Sequence, residues 1–277
     1  MTRLSILGFG LIGGSVALAL RRALPAIHVT AIDLGASLEK VRSRGIADAL
    51  VDVSDTGAVE RAFETCTLAV FAAPVRVIRD QLRLAVSRAP VITDCGSTKR
   101  AIVASARREP RAGRFVPGHP MAGGPEGGVE HARADLFEGR PWIVCPEGAD
   151  ADAVASVERL IEAVGARPVV MSAGAHDAAV ARTSHVPQLL GSALSVLVAR
   201  AGAMAAAGPA FERATQSAGG PTAMWGDIFE TNGDEIARAL AELFAELSPV
   251  QQELADARGV EHARALLENA RKLRPRG

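Results

Sequence analysis

A chain of 277 residues and 28.7 kDa, with 48% hydrophobic and 22% charged residues, holds ample apolar side chains for one large or two modest domains and is no disordered polymer. Thirty-one basic residues balance thirty-one acidic ones, so no global basic field exists to hold nucleic acid or an anionic membrane. Cys66, Cys95 and Cys145 are odd in number and widely spaced; they form neither a disulfide framework nor a Cys-x-x-Cys metal half-site, and a reducing cytoplasm is the expected setting.

Residues 4–20 follow Arg3 and are largely apolar, the outline of an export signal, but Gly8, Gly10, Gly13 and Gly14 make a poor signal helix. No other stretch approaches the ~20 apolar residues of a membrane span. Up to residue 172, short β-branched runs alternate with segments of helical period, which predicts a mostly parallel sheet wrapped by helices. Strands are expected at residues 4–7, 28–33, 68–73, 91–94, 142–145 and 168–171, and helices include 76–88 and 150–164. The remainder reads as helices, at 175–201, 210–218, 222–231 and 234–258, with Pro187 as a kink or break in the first. Residues 189–201 are apolar nearly all round, so they are expected to be buried on more than one side, with a second copy of the chain completing the core as a homodimer. The expected domains are therefore 1–172 and 173–277.

Gly8-Phe9-Gly10-Leu11-Ile12-Gly13 is a G-x-G-x-x-G turn placed directly after a strand and opening a helix. Its glycines permit a tight turn, close approach of backbone to a pyrophosphate, and close helix–strand packing, while the helix N-terminus offers free N–H groups. The second strand ends at Asp33, twenty residues past Gly13, where a carboxylate accepts from ribose hydroxyls. Together these predict a doubly wound, Rossmann-type domain that binds a dinucleotide. Asp33 repels a 2′-phosphate and residues 34–37 supply no Arg, so NAD is favoured over NADP.

Three further segments carry candidate chemistry. Asp94-Cys95-Gly96-Ser97-Thr98-Lys99 follows a strand and so falls at the carboxyl edge of the sheet; Gly118-His119-Pro120-Met121-Ala122-Gly123 is the second; Ser184-His185-Val186-Pro187-Gln188 lies on a helix. Singly, each has an ordinary structural explanation as a helix cap, a turn or a helix kink. The six histidines are scattered, with no i, i+4 pair of a helical metal site, and no metal is expected. His176 is expected to cap or pack rather than ligate.

In this order behind the glycine turn, the segments resemble the prephenate/arogenate dehydrogenase family of tyrosine biosynthesis. Residues 71–75, 134–140 and 224–228 and the pair His176-Asp177 support the resemblance, which runs from Leu4 to about Asn232. It implies an NAD-binding domain followed by an all-helical dimerisation domain, and NAD-dependent oxidative decarboxylation of prephenate. By motif, His119 takes the ring hydroxyl's proton, Ser97 orients His119 and the hydroxyl, and His185 meets substrate from across the cleft. Ala73 and Pro74 join Gly8–Gly13 and Asp33 at the cofactor, and Gly124, Ser184, Gln216 and Trp225 join Ser97, His119 and His185 at the substrate. Lys99 is assigned either to substrate or phosphate or to a helix surface.

The chain departs from the family pattern in two places. Gly124 and Pro125 stand where relatives carry Ser or Thr and then Glu, and Glu126, displaced by one, does not inherit that role. Gln216 stands where the substrate-binding Arg is usual, and Glu212 where a basic residue is frequent. Losing one charge-assisted hydrogen bond costs ~1 kcal/mol, or roughly fivefold in affinity. Prephenate still stands first as substrate, with arogenate, whose ammonium a nearby acid favours, or a related amino-substituted prephenate as alternatives; a non-catalytic dinucleotide-binding protein is a further reading, opposed by the intact Ser97, His119 and His185.

Overall fold

The computed structural model describes residues 1–124, 126–256 and 259–273. Pro125 and the last two positions expected for the helix 234–258 lie outside the described residues.

The chain begins with β1 (Arg3–Leu7), α1 (Leu11–Ala23), β2 (His28–Asp33), α2 (Gly35–Arg44), β3 (Ala49–Asp52) and α3 (Thr56–Thr65). It continues through β4 (Leu68–Phe71), α4 (Val75–Val86), β5 (Ile92–Asp94), α5 (Arg100–Ala106) and β6 (Phe115–Val116). These strands make a fully parallel sheet in the order β3-β2-β1-β4-β5-β6, the strand order 3-2-1-4-5-6 of a doubly wound dinucleotide-binding fold. Strand alternation explains the two-sided core. Leu4 and Ile6 point into one apolar cluster with Val16, Leu20, Val157 and Trp142, whereas Leu7 joins the opposite cluster with Ile32, Phe63, Phe71 and Ile78.

The next strands depart from expectation. β7 (Gly118–Pro120), β8 (Pro141–Val144) and β9 (Arg167–Val170), with α6 (Ala151–Ala163) between the last two, form a separate sheet in which β7 and β8 are antiparallel. Residues 142–145 and 168–171 were expected in the main sheet; their apolar runs are real, but they pair with each other, and β8 alone pairs with β7 as well. The short β3, β6 and β7 escape a periodicity reading because two to four residues carry too little pattern.

The helical half opens with α7 (Ala173–Val180), a π-helical turn at Ala181–His185, and α8 (Val186–Arg200), followed by α9 (Pro209–Thr215), α10 (Thr222–Ala255) and α11 (Glu261–Leu273). Pro187 does not break the helix: it sits in the first turn of α8, directly after the π-helical turn, where the helix geometry changes. The two helices expected at 222–231 and 234–258 are both present within α10, joined across a kink where Asn232 leaves helical geometry (φ −137°, ψ 19°).

This half has a thin core of Ala181, Val186, Ile228, Ile236 and Ala239. Within the single chain, residues 189–201 are only partly covered: Leu190, Val196 and Leu197 are exposed, Leu197 to 64%. Phe244, Leu254 and Leu267 are exposed as well. Among the described residues no helix is long and apolar enough to cross a membrane.

Candidate active site

A cleft of about 590 Å³ opens between the carboxyl edge of the parallel sheet and the helical half. One wall is the glycine turn (Gly10, Leu11, Ile12) with Ala72, the floor is Ser97 and β7 with the loop behind it, and the far wall is Ser184, His185, Met224, Trp225 and Ile228. The two halves are tied across it. Thr98 and Thr231 share a hydroxyl–hydroxyl bond of 2.8 Å, and the Arg76 N–H donates to Asp227 at 3.2 Å.

The glycine turn is locked by packing. Gly8 has φ +86°, and a Cβ there would lie 2.6 Å from the Ala72 carbonyl oxygen; a Cβ on Gly13 would overlap the Gly8 carbonyl. Gly10 is different: nothing stands within 4 Å of where its Cβ would be. It is also the N-cap of α1 and offers no side chain to the first-turn N–H groups, which leaves an open cradle of donors suited to a pyrophosphate. The Asp33 carboxylate takes the Phe9 N–H at 2.6 Å and the Leu34 N–H at 2.7 Å, so it both shapes the turn and keeps lone pairs for ribose hydroxyls. Asp52 lies opposite Asp33 in the strand register and adds a second carboxylate at that edge. The Phe9 side chain turns inward and is buried; Leu11 and Ile12 face the cleft. Ala73 and Pro74 lie at the turn after β4, where the Ala73 backbone packs on Gly8, rather than on the cleft wall.

His119 occupies the middle of β7, half-buried, with Nδ1 2.8 Å from Nε2 of His176. The other nitrogen of His176 lies 2.7 Å from the Asp177 carboxylate. Burial, and then the charges of His176, Lys99 and His185, hold His119 well below the ordinary imidazole range, so it is neutral near pH 7. Burial also lowers His176, against the pull of Asp177, and takes His185 down to about 4. Burial alone would raise Asp177, but hydrogen bonds from His176 and from the N–H groups of Arg100 and Lys99 bring it below the usual carboxylate range.

Lys99 is neither at the substrate nor on a helix surface. It is fully buried, with its ammonium on the Asp94 carboxylate and on the Gly118 carbonyl at 2.7 Å. Asp94 in turn takes the N–H groups of Gly118 (3.0 Å) and Gly96 (2.8 Å), so one ion pair pins β7, and His119 with it, against the end of β5. His176 is not a cap: it is buried against His119, from which it lies 57 positions away in sequence, a pairing that nothing local could signal. Asn232, also unassigned from sequence, donates to the Asp177 carbonyl at 2.9 Å and faces His185 at 3.3 Å.

Ser97, His119, Gly124, Ser184, His185 and Trp225 all reach the one cleft, and the Trp225 ring meets the His185 ring edge-on at 5.9 Å. Gln216 does not: it is exposed at the C-terminus of α9, and the wall that α9 was expected to supply comes from Met224 and Trp225 of α10. Glu126, set aside on sequence, does line the cleft and pairs with His131 at 3.1 Å. Cys95 is on the wall too, but burial and the Asp94 charge raise its thiol far above neutrality, so it is no nucleophile. Among the described residues no group of His, Cys, Asp and Glu side chains has the makings of a metal site.

Comparison with known proteins adds the following. Residues 16–170 match the family model "Prephenate dehydrogenase, nucleotide-binding domain", and residues 172–268 match "Prephenate dehydrogenase, dimerization domain". The chain is 29% identical to cyclohexadienyl dehydrogenase of Zymomonas mobilis, over 98% of each chain. It is 31% identical to prephenate dehydrogenase of Bacillus subtilis, over 88% of this chain and 68% of that one. Its structure superposes with a TM-score of 0.89 on that of prephenate dehydrogenase from A. aeolicus in complex with hydroxyphenyl propionate and NAD+, at 27% identity over 98% of this chain and 97% of the other.

Proposed function

Because the chain belongs to the prephenate dehydrogenase family, we propose that it catalyses the NAD-dependent oxidative decarboxylation of prephenate to 4-hydroxyphenylpyruvate, with arogenate as the alternative substrate. The observation that carries this reading is a neutral imidazole, His119, on the floor of a cleft whose wall is the glycine turn. NAD fits the open cradle at Gly10 and the carboxylate of Asp33, and when bound it supplies the hydride acceptor.

The chain's own residues have a limited task, because aromatisation of the ring drives the reaction. The ring lies between Leu11 and Ile12 on one side and Met224, Trp225 and Ile228 on the other, which excludes water from it. His119 accepts the proton of the ring hydroxyl as the carbon that bears it gives up its hydride and the carbon–oxygen bond gains carbonyl character. The bond to the ring carboxylate then breaks, its electron pair enters the ring, carbon dioxide leaves, and the phenolate oxygen recovers the proton from His119. Ser97 stands beside His119 to orient the same hydroxyl, and Ser184 and His185 face it from the helical half.

Arogenate is kept as the alternative by one observation: with Gln216 outside the cleft, no Arg replaces it there among the described residues, while Glu126, an acid suited to an ammonium, is on the wall. Steady-state assays with prephenate and arogenate, each with NAD and NADP, test the proposal; a folded protein that forms no reduced cofactor with either substrate overturns it. The exposed apolar faces of α8, α10 and α11 and the match to a dimerisation domain support a homodimer. Sedimentation at micromolar concentration showing monomer alone would remove that part.

A further inference from the structure

Asp177 is fully buried and does not wall the cleft, yet both cleft imidazoles are tied to it. The first link runs through its carboxylate. Being ionised, it accepts from Nδ1–H of His176 at 2.7 Å, which leaves neutral His176 with a lone pair on Nε2. Across the 2.8 Å to His119, the donor must then be Nδ1–H of His119, and its Nε2 is left as an acceptor.

The second link runs through the Asp177 backbone. Arg100 donates to Oδ1 of Asn232 at 3.0 Å, and Asn232 Nδ2 donates to the Asp177 carbonyl at 2.9 Å, which fixes the amide orientation. It is therefore an N–H that faces Nδ1 of His185 at 3.3 Å. His185 accepts at Nδ1 and carries its own proton on Nε2. Arg100 is itself held by Asp234 at 2.8 Å and by the Asp177 carboxylate at 3.2 Å, so both links share one anchor.

Resting on the reading of the cleft given above, we propose that Asp177 and Asn232 are positioning residues that give the two cleft imidazoles opposite hydrogen-bonding polarity. His119 presents a lone pair to the ring hydroxyl, and His185 presents an N–H to an anionic group of the substrate, a carboxylate. This divides the labour: the carboxylate link serves the chemical step and the Asn232 link serves binding.

Long-range nitrogen–proton NMR of histidine-labelled protein reads the tautomers directly, with signals assigned through single-histidine variants. The expected result is His119 protonated on Nδ1 and His185 on Nε2. A His119 proton on Nε2, or a His185 proton on Nδ1, overturns the proposal whether or not the protein turns over prephenate. Correct tautomers in a protein that forms no NADH would overturn only the function proposed above. In kinetics, His176→Asn keeps the donor to Asp177 but removes the acceptor for His119, so kcat should fall roughly tenfold with KM within about twofold. His176→Gln, whose amide oxygen reaches the place of Nε2, should restore most of it. Asn232→Ala should raise KM roughly tenfold and spare kcat. Parallel losses in kcat and KM from both variants, or no recovery with Gln, would mean a structural role only.

Discussion

Replacing Lys99 by Met removes the cation from a pair that is wholly inside the protein, and the cost follows from what is left behind. Both side chains are fully buried, so the Asp94 carboxylate loses its counter-charge with no water to replace it, and the Gly118 carbonyl loses a donor. Removing one partner of such a pair costs about 3–5 kcal/mol. Two backbone N–H groups still reach Asp94, which places Lys99→Met near the lower end, about 3 kcal/mol. Asp94→Asn alone strands the ammonium and should cost a similar amount. The double variant has no buried net charge; it loses mainly hydrogen bonds, each worth about 1 kcal/mol, so a double-mutant cycle by urea denaturation should give a coupling of about 3 kcal/mol or more. Costs that simply add, or a Lys99→Met variant within about 1 kcal/mol of the parent, would refute the claim that this pair pins β7. Since Gly118 precedes His119, turnover should also drop in the single variants at temperatures where they remain folded.

Acid should weaken the fold in a defined window. His119, His176 and His185 are all held below the ordinary imidazole value of 6.5 by burial, so the unfolded chain binds more protons as pH falls below that value. Their contribution to stability is complete above about pH 6.5 and is lost progressively on the way down; for His185, which titrates at about 4 in the fold, it reaches about 3 kcal/mol. Asp177, lowered in the fold, adds a loss of the same sign at lower pH. Urea midpoints that stay level between pH 7 and 4.5 would contradict this. At the other end of the cleft, Asp33→Ala should weaken NAD roughly tenfold or more, by removing a charged acceptor from ribose and from the Phe9 N–H, while affecting NADP much less. Calorimetric titration with both cofactors measures the ratio; an unchanged ratio would clear Asp33 of selecting between them.

The parallel sheet and the glycine turn were legible because their signals are local: Gly8, Gly10 and Gly13 sit at fixed spacing between a β-branched strand and a helix, and Asp33 closes the next strand. The family resemblance in turn marked Ser97, His119 and His185, three points far apart in sequence that share one cleft. What could not be read was pairing across distance. His119 meets His176 across 57 positions, and β7 finds β8 only because the chain returns after the loop behind His119. Lys99 looked like a surface or ligand-binding residue because lysines are seldom buried; its partner Asp94 was five positions away, but the turn that folds one onto the other has no periodicity to announce it. Gln216 was placed at the substrate by counting back along the family motif, whereas α9 ends with that side chain in solvent. The apolar ring of residues 189–201 is expected to complete its core against a second copy of the chain, and a single copy covers only part of it.

The π-helical turn at Ala181–His185 sets a length rule for this enzyme. His176 and His185 are nine positions apart, and nine steps of a regular α-helix at ~100° each would leave them on opposite sides of the rod. The widened turn absorbs one residue, so the effective phase is that of eight steps, about 80°, and both rings turn toward the same neighbourhood. Deleting a single amino acid from the widened turn, Thr183 for example, would let the helix run regularly at that same eight-step phase, whereas adding one would turn His185 about 100° away from its present direction. An insertion here in any descendant of this sequence should thus be rarer than a deletion of one residue.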